Sequence, residues 1–260
     1  MNNVEYRVNL NNPPIIEAMF QVIWGLANQP DPAYPLLVGQ LFDKVKNDYP
    51  IINNLPLAMA PPNIAGQMVR HQFRSKESGW PLIQIGPGVA TLNEADAYQR
   101  DDFLKRALAL RDHLVDVSSQ LDVSSQLNVD KLMLQYIDAV EFDFESLDVR
   151  VFFRDKLHID LKVPPSLFKF DGQPVNEMPQ DASVQLRFTT SKPAGSAELR
   201  VSTGRLKGKP AIVWHTTVLA TGIDAKNGWT DFKDWIESAH RIVHHWFFAL
   251  IQGELLRSME

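Results

Sequence analysis

Cysteine is absent from all 260 residues. Its absence removes disulfides, thiolate nucleophiles, Cys-ligated zinc and iron–sulfur clusters together, and makes a cytoplasmic setting the default expectation. Long apolar runs are missing as well: the longest block, Trp246 to Ile251, is far short of the roughly 20 residues a membrane-spanning helix requires. The segment Met1 to Leu10 carries Glu5 and Arg7 with no basic start followed by an apolar stretch, so it does not read as a signal peptide. Nor is there an excess of positive charge. With 26 Lys and Arg against 31 Asp and Glu, the net charge of −5 argues against electrostatic capture of nucleic acid by the protein as a whole.

What the chain does have is material for a core. At 45% hydrophobic and 22% charged residues, it holds enough apolar surface for one large domain or two small ones. Ile15 to Trp24 reads as a strand, with Ile16, Ala18, Phe20, Val22 and Trp24 on one face and Glu17 and Gln21 on the other. Leu36 to Tyr49 recurs at helical spacing until Pro50, and residues 51 to 66, rich in Pro and Asn, read as a loop. Strands are expected at Met68 to Ser75, Pro81 to Ile85 and Val89 to Asn93. Asp101 and Asp102 then open a helix, their charge favourable at its positive end.

A head-to-tail duplication follows, Asp116 to Leu121 and Asp122 to Leu127, each reading DVSSQL. A period of six is too short for a repeat architecture and fits a tolerant connector. Beyond it, Val129 to Glu145 alternates over a long strand; Val149 to Phe153 and, more weakly, Leu157 to Val163 read as strands. The Pro-rich stretch Pro164 to Gln180 reads as a loop, and Val184 to Thr190, Ala197 to Ser202 and Ala211 to Ala220 form a meander. A closing amphipathic helix starts near Thr230 as N-cap. The expected class is α+β: two halves, each a mainly antiparallel sheet covered by long amphipathic helices, over residues 1–117 and 129–260, joined by a connector at 118–128.

Motifs that carry chemistry fail on spacing or context. Glu237, His240 and His244 lie on one flank of the closing helix, the best metal candidates, yet boundary histidines also serve as amphipathic spacers and no second Glu-x-x-His accompanies them. Gly204 to Lys209 has three residues between its glycines and Pro210 where a phosphate loop needs Ser or Thr, so it reads as a hairpin turn. No Gly-x-Ser-x-Gly elbow occurs, and Glu141, Asp143 and Glu145 alternate with Phe142 and Phe144 as a wet strand face does. No catalytic residue, cofactor or metal is assigned. Two candidate surfaces remain. Arg187, Lys192, Arg200, Arg205, Lys207 and Lys209 form a basic stretch against the single acid Glu198, suited to a polyanion or an acidic partner. Tyr136, Trp235, His240 and Trp246 could line a pocket between sheet and closing helix.

Three features also line up with a known family: Pro13-Pro14-Ile15-Ile16-Glu17-Ala18 leading into a strand, Leu134-Gln135-Tyr136-Ile137-Asp138, and the closing helix with Ala239-His240 before an aromatic tail. Together with Gln84-Ile85-Gly86-Pro87, they make the chain resemble a sporadically distributed, uncharacterised bacterial family of about 250 residues. That family typically carries Arg before the Tyr and Asn two residues after it, where this chain has Gln135 and Asp138. The resemblance implies no activity or cofactor. It does imply an accessory context of the kind found in bacterial conflict and phage defence. The expected function is therefore a non-enzymatic interaction protein with a protein partner or a second copy of itself. A small-molecule binder or enzyme using the pocket, and nucleic-acid contact through the basic 187–209 hairpins, are the alternatives.

Overall fold

A computed structural model describes residues 10–25, 33–59, 67–96, 98–121, 127–170, 173–174, 179 and 181–260. Residues 122–126 of the second DVSSQL copy and much of the loop expected at 164–180 therefore lie outside the described residues.

The chain begins with a strand, β1 (Ile15–Trp24), and a helix, α1 (Tyr34–Val45), which starts with Pro at its first turn, where a missing N–H costs nothing. Four strands follow: β2 (Ile51–Asn54), β3 (His71–Arg74), β4 (Leu82–Gly86) and β5 (Val89–Glu94). Helix α2 (Arg100–Gln120) runs through the first DVSSQL copy almost to its end. The second part has β6 (Val129–Glu141), α3 (Val149–Leu157), the two-residue strands β7 (Lys169–Phe170) and β8 (Gln173–Pro174), and the meander β9 (Ser183–Ser191), β10 (Ala194–Leu206) and β11 (Lys209–Thr221). Helices α4 (Gly222–Thr230), α5 (Phe232–Ile251) and α6 (Glu254–Met259) close it.

The α+β class holds, but the two halves do not form two sheets. Among the described residues all the long strands join one antiparallel sheet of nine, in the order β2-β3-β4-β5-β1-β6-β11-β10-β9, with β1 hydrogen-bonded to β6 at its centre. Once β1 and β6 expose edges of matching apolar pattern, pairing them removes two open edges at once. The helices cover the face bearing Ala18, Phe20, Val22, Leu132 and Leu134. The opposite face carries a hydrogen-bonded ladder of polar side chains, in which Arg74 donates to Gln72, Gln72 to Gln84, Gln84 to Asn93 and Asn93 to Glu17.

A single apolar row crosses the whole helix-covered face. Successive register partners run Ile52, Phe73, Ile83, Leu92, Phe20, Leu134, Val218, Ala197, Phe188. Connectivity repeats along it: in each part a first strand, a helix and a three-stranded meander lead back to pair with the first strand, before a long helix. The registers repeat too. Exchanging β1 for β6 maps Phe20/Leu92 onto Leu134/Val218, Leu92/Ile83 onto Val218/Ala197, and Ile83/Phe73 onto Ala197/Phe188.

Several local expectations change. Val149 to Phe153 is helical, because Asp148 caps the first turn by accepting the Arg150 N–H at 2.9 Å and Val149, Phe153 and Leu157 bury on one face at i,i+4 spacing. Leu157 to Val163 therefore leaves that helix and forms no strand. Residues 51–54 are strand rather than loop, pairing with β3. Thr230 ends α4 rather than capping α5, its hydroxyl donating to the Lys226 carbonyl. The sequence pattern does not announce α4; Gly228 lets it approach α5 so closely that a Cβ there would stand 2.6 Å from Trp235 Cδ1. The 204–209 segment is a tight hairpin, with Lys207 and Gly208 both at positive φ as a type I′ turn requires. Replacing Asp148 with Ala removes the α3 cap and should lower stability by about 1 kcal/mol, read as a shift in the urea midpoint.

Candidate functional site

Strand β9 is an edge strand: among the described residues it pairs with β10 alone. Its period of two sends Val184, Leu186 and Phe188 toward the helix side and Gln185 and Arg187 to the other face. In the interior of the sheet such helix-side residues are buried, as Phe73 is at 0% exposure, whereas Leu186 is 43% and Phe188 51% exposed. Beside them opens a groove of about 580 Å³ between β9, the end of α3 and the C-terminal half of α5. Leu199 and Leu250 lie at its base, and Ile242 and Trp246 form the α5 wall. The Trp246 ring meets Phe188 nearly edge-on, with centroids 5.6 Å apart. One end is pinned by Lys192 to Asp234 at 3.4 Å, tying the β9–β10 hairpin to α5. At the other, His158, at φ 56 in the left-handed region, terminates α3 and hydrogen-bonds through Nε2 to the Gln252 carbonyl at 2.9 Å.

A second feature lies inside the core. The Tyr98 and Tyr136 hydroxyls are 2.6 Å apart, and Tyr136 Oη is 3.2 Å from His240 Nδ1. Two residues along β6, Asp138 shares the same buried face and is the register partner of Trp214 on β11. Burial pushes the Asp138 carboxyl up to about 8 and, with the nearby Arg100 charge a smaller cause, His240 down to about 3. Both tyrosines are raised above their ordinary value by burial. At neutral pH this is therefore a largely uncharged island: neutral imidazole, neutral phenols and a mostly protonated carboxyl. Trp214 Nε1 and Thr216 Oγ1, register neighbours of Asp138 and Tyr136, are buried without a hydrogen-bond partner among the described residues. The chain of hydroxyls and imidazole ties the segment leading into α2, through Tyr98, and α5, through His240, to the centre of the sheet.

The residues singled out from sequence are distributed between these places. Tyr136 and His240 are brought together as hydrogen-bonded core residues. Trp235 is buried with Phe20 and Phe232, and Trp246 stands apart on the groove wall. Of the metal candidates, His240 is engaged by Tyr136, His244 packs on Phe248 with centroids 4.8 Å apart, and Glu237 joins neither. Among the described residues no group of three or more His, Asp or Glu side chains is placed to hold a metal ion. In the basic stretch, Arg187 pairs with Glu198 at 2.6 Å, Lys192 with Asp234 and Lys209 with Glu141 at 2.8 Å. Arg205 donates to the Gly208 carbonyl, Arg200 lies opposite His215 and Lys207 occupies the hairpin tip, so the six do not converge on one point. Among the described residues no helix is long and apolar enough to cross a membrane.

Sequence reasoning passes over Leu186, Phe188 and Ile242. The available signal is the Val184, Leu186, Phe188 alternation, which looks like any half-buried strand until the sheet order leaves it without a neighbour on one side among the described residues. No known family model matches the chain, and no curated protein matches it in sequence.

Proposed function

We propose that this protein is a non-enzymatic interaction protein that takes up an extended segment of a partner along the β9 edge, its apolar side chains entering the groove beside Trp246. The observation that carries this reading is the exposure of Leu186 and Phe188 directly above an apolar groove, at the end of a row whose interior members are buried. An open strand edge supplies main-chain hydrogen bonds, and a neighbouring groove supplies side-chain selectivity. Trp246 and Phe188 are the kind of large anchors on which binding energy concentrates. Of the four residues expected to line a pocket, Trp246 borders this groove, while Tyr136, Trp235 and His240 are buried in the core. A role for the 187–209 basic residues on nucleic acid has less support, since the six do not converge on one point. An accessory setting of the kind the family resemblance implies, and the cytoplasmic one expected of a cysteine-free chain, are compatible with such a function.

The test is a selection of displayed random heptapeptides on the wild-type protein, with Phe188→Asp and Trp246→Ser as counter-selections. Both positions are partly exposed, so folding is checked by an unchanged far-UV spectrum. Peptides enriched on wild type should lose roughly tenfold or more in binding to each variant, the scale of a lost anchor. Equal enrichment on all three proteins would refute the reading.

A further inference from the structure

The repeated registers make the β9 edge more specific than an open strand. The mapping that takes β1 to β6 takes Phe73 on β3 to Phe188 on β9, and Gln72 to Arg187. On its outer side β3 is covered by β2, four residues long, which places Ile52 opposite Phe73 and Asn53 opposite Gln72. Phe73 is thereby fully buried and meets Phe42 of α1 at 5.4 Å. The corresponding side of β9 has no strand among the described residues. There Phe188 meets Trp246 at 5.6 Å instead, and remains half exposed. The same strand position thus occurs twice in the sheet, and at one of the two its outer edge is covered by a short antiparallel strand.

From this we infer that the β9 slot binds a short extended segment, antiparallel to β9 as β2 is to β3, of the pattern apolar–acidic–apolar. The inference rests on the docking reading above and adds the occupant's chemistry. Leu186 and Phe188 both face the groove, so the residues opposite each are apolar. Arg187 lies between them on the other face with its side chain 62% exposed, and among the described residues its ion pair is with Glu198 on β10, from one side. A carboxylate on the incoming strand, directly opposite Arg187, would meet the guanidinium from the other side.

The same arginine argues against a second copy as the occupant. Antiparallel self-pairing that matches Leu186 with Phe188 in both directions necessarily sets Arg187 against Arg187, and like charges directly opposite are unfavourable. A basic residue at the middle of an exposed edge is a familiar guard against edge-to-edge association.

The probe is a pair of blocked seven-residue peptides with a Val-Glu-Val or a Val-Lys-Val centre, titrated against the full chain by fluorescence anisotropy. Amide hydrogen exchange then locates the contact. The glutamate peptide should bind roughly tenfold or more tightly than the lysine peptide, the scale of exchanging an attractive for a repulsive cross-strand pair, and should slow exchange at residues 184–190. Arg187→Glu should reverse the preference. Peptides that bind and protect β9 with equal affinity for both centres would overturn the acidic specificity while leaving the docking reading intact. Absence of protection at β9 for peptides recovered from the selection would overturn both. A wild-type dimer in sedimentation analysis that dissociates on Arg187→Glu or Phe188→Asp would show the slot to be filled by a second copy, and would also overturn the inference.

Discussion

Asp138→Asn is expected to stabilise the protein by roughly 5 kcal/mol at pH 8 and by less than about 2 kcal/mol at pH 5, at about 1.4 kcal/mol per unit of pKa difference. The folded carboxyl titrates near 8 because it is buried, against 3.8 in the unfolded chain. The native state therefore holds a proton that the unfolded state releases. This contribution to stability is complete below pH 3.8 and is lost as pH rises toward 8. His240 works in the opposite sense: with a folded value near 3 against 6.5 unfolded, it favours the native state above pH 6.5 and loses that advantage as pH falls toward 3. Between about pH 4 and 6.5 the two slopes cancel. The wild-type contribution of this pair is thus flat in that interval and declines between pH 6.5 and 8. The Asp138→Asn substitution removes the Asp138 slope and leaves that of His240, so the variant's stability should climb from pH 4 to 6.5 and then level off. Urea midpoints followed by far-UV dichroism from pH 4 to 8.5 provide the measurement. Parallel curves for wild type and variant would show that Asp138 does not carry a proton in the folded state.

Phe20→Ala should cost about 3–5 kcal/mol, the range for emptying a large aromatic from a core. Phe20 is fully buried, meets Phe232 at 4.9 Å and Trp235 at 6.4 Å on the closing helix, and stands opposite both Leu92 and Leu134. It therefore joins β1, the centre of the sheet and α5 in one packing unit. The loss should appear in every probe at once: tryptophan fluorescence and far-UV dichroism should shift together in a single transition. Two separate transitions, with only one displaced, would mean that the residues before and after the connector unfold independently despite the shared sheet.

The legible parts of the fold are those in which a local pattern has one solution. Ala18, Phe20, Val22 and Trp24 alternate with polar or half-buried neighbours and can only be a strand. The wide apolar stripe of Phe232 to Ile251 can only be a packed helix. Val149 to Phe153 has two solutions, since Val149, Val151 and Phe153 fit a period of two while Val149, Phe153 and Leu157 fit a helix. The Asp148 cap selects the helix. Ile51 to Asn54 is too short to announce a strand and gains its conformation from β3.

The internal correspondence is hidden for a related reason. It matches Met19 with Met133, Gln21 with Gln135 and Thr91 with Thr217, single identities that become visible only when registers align the strands. The site is only partly legible. Sequence patterning groups Tyr136 and His240 between the sheet and the closing helix, but whether such residues line a pocket or fill a core depends on how much space the packed elements leave between them.

By itself, the sequence determined that the chain has no thiol, that strands and amphipathic helices of opposite patterning must pack on one another, and that the 204–209 glycines do not have phosphate-loop spacing. These follow from residue identity and from periods of 2 and 3.6, which are local quantities. Only the tertiary structure decided that the strands before and after the connector share one sheet, and that β9 rather than β1 or β6 is left at an edge. Strand neighbours far apart in sequence are chosen by which edges can pair without a clash and by which apolar faces can be covered together. The same alternation that buries Phe73 beside β2 leaves Phe188 exposed above a groove, and that difference in neighbours, with no difference in pattern, makes one of them core and leaves the other half exposed.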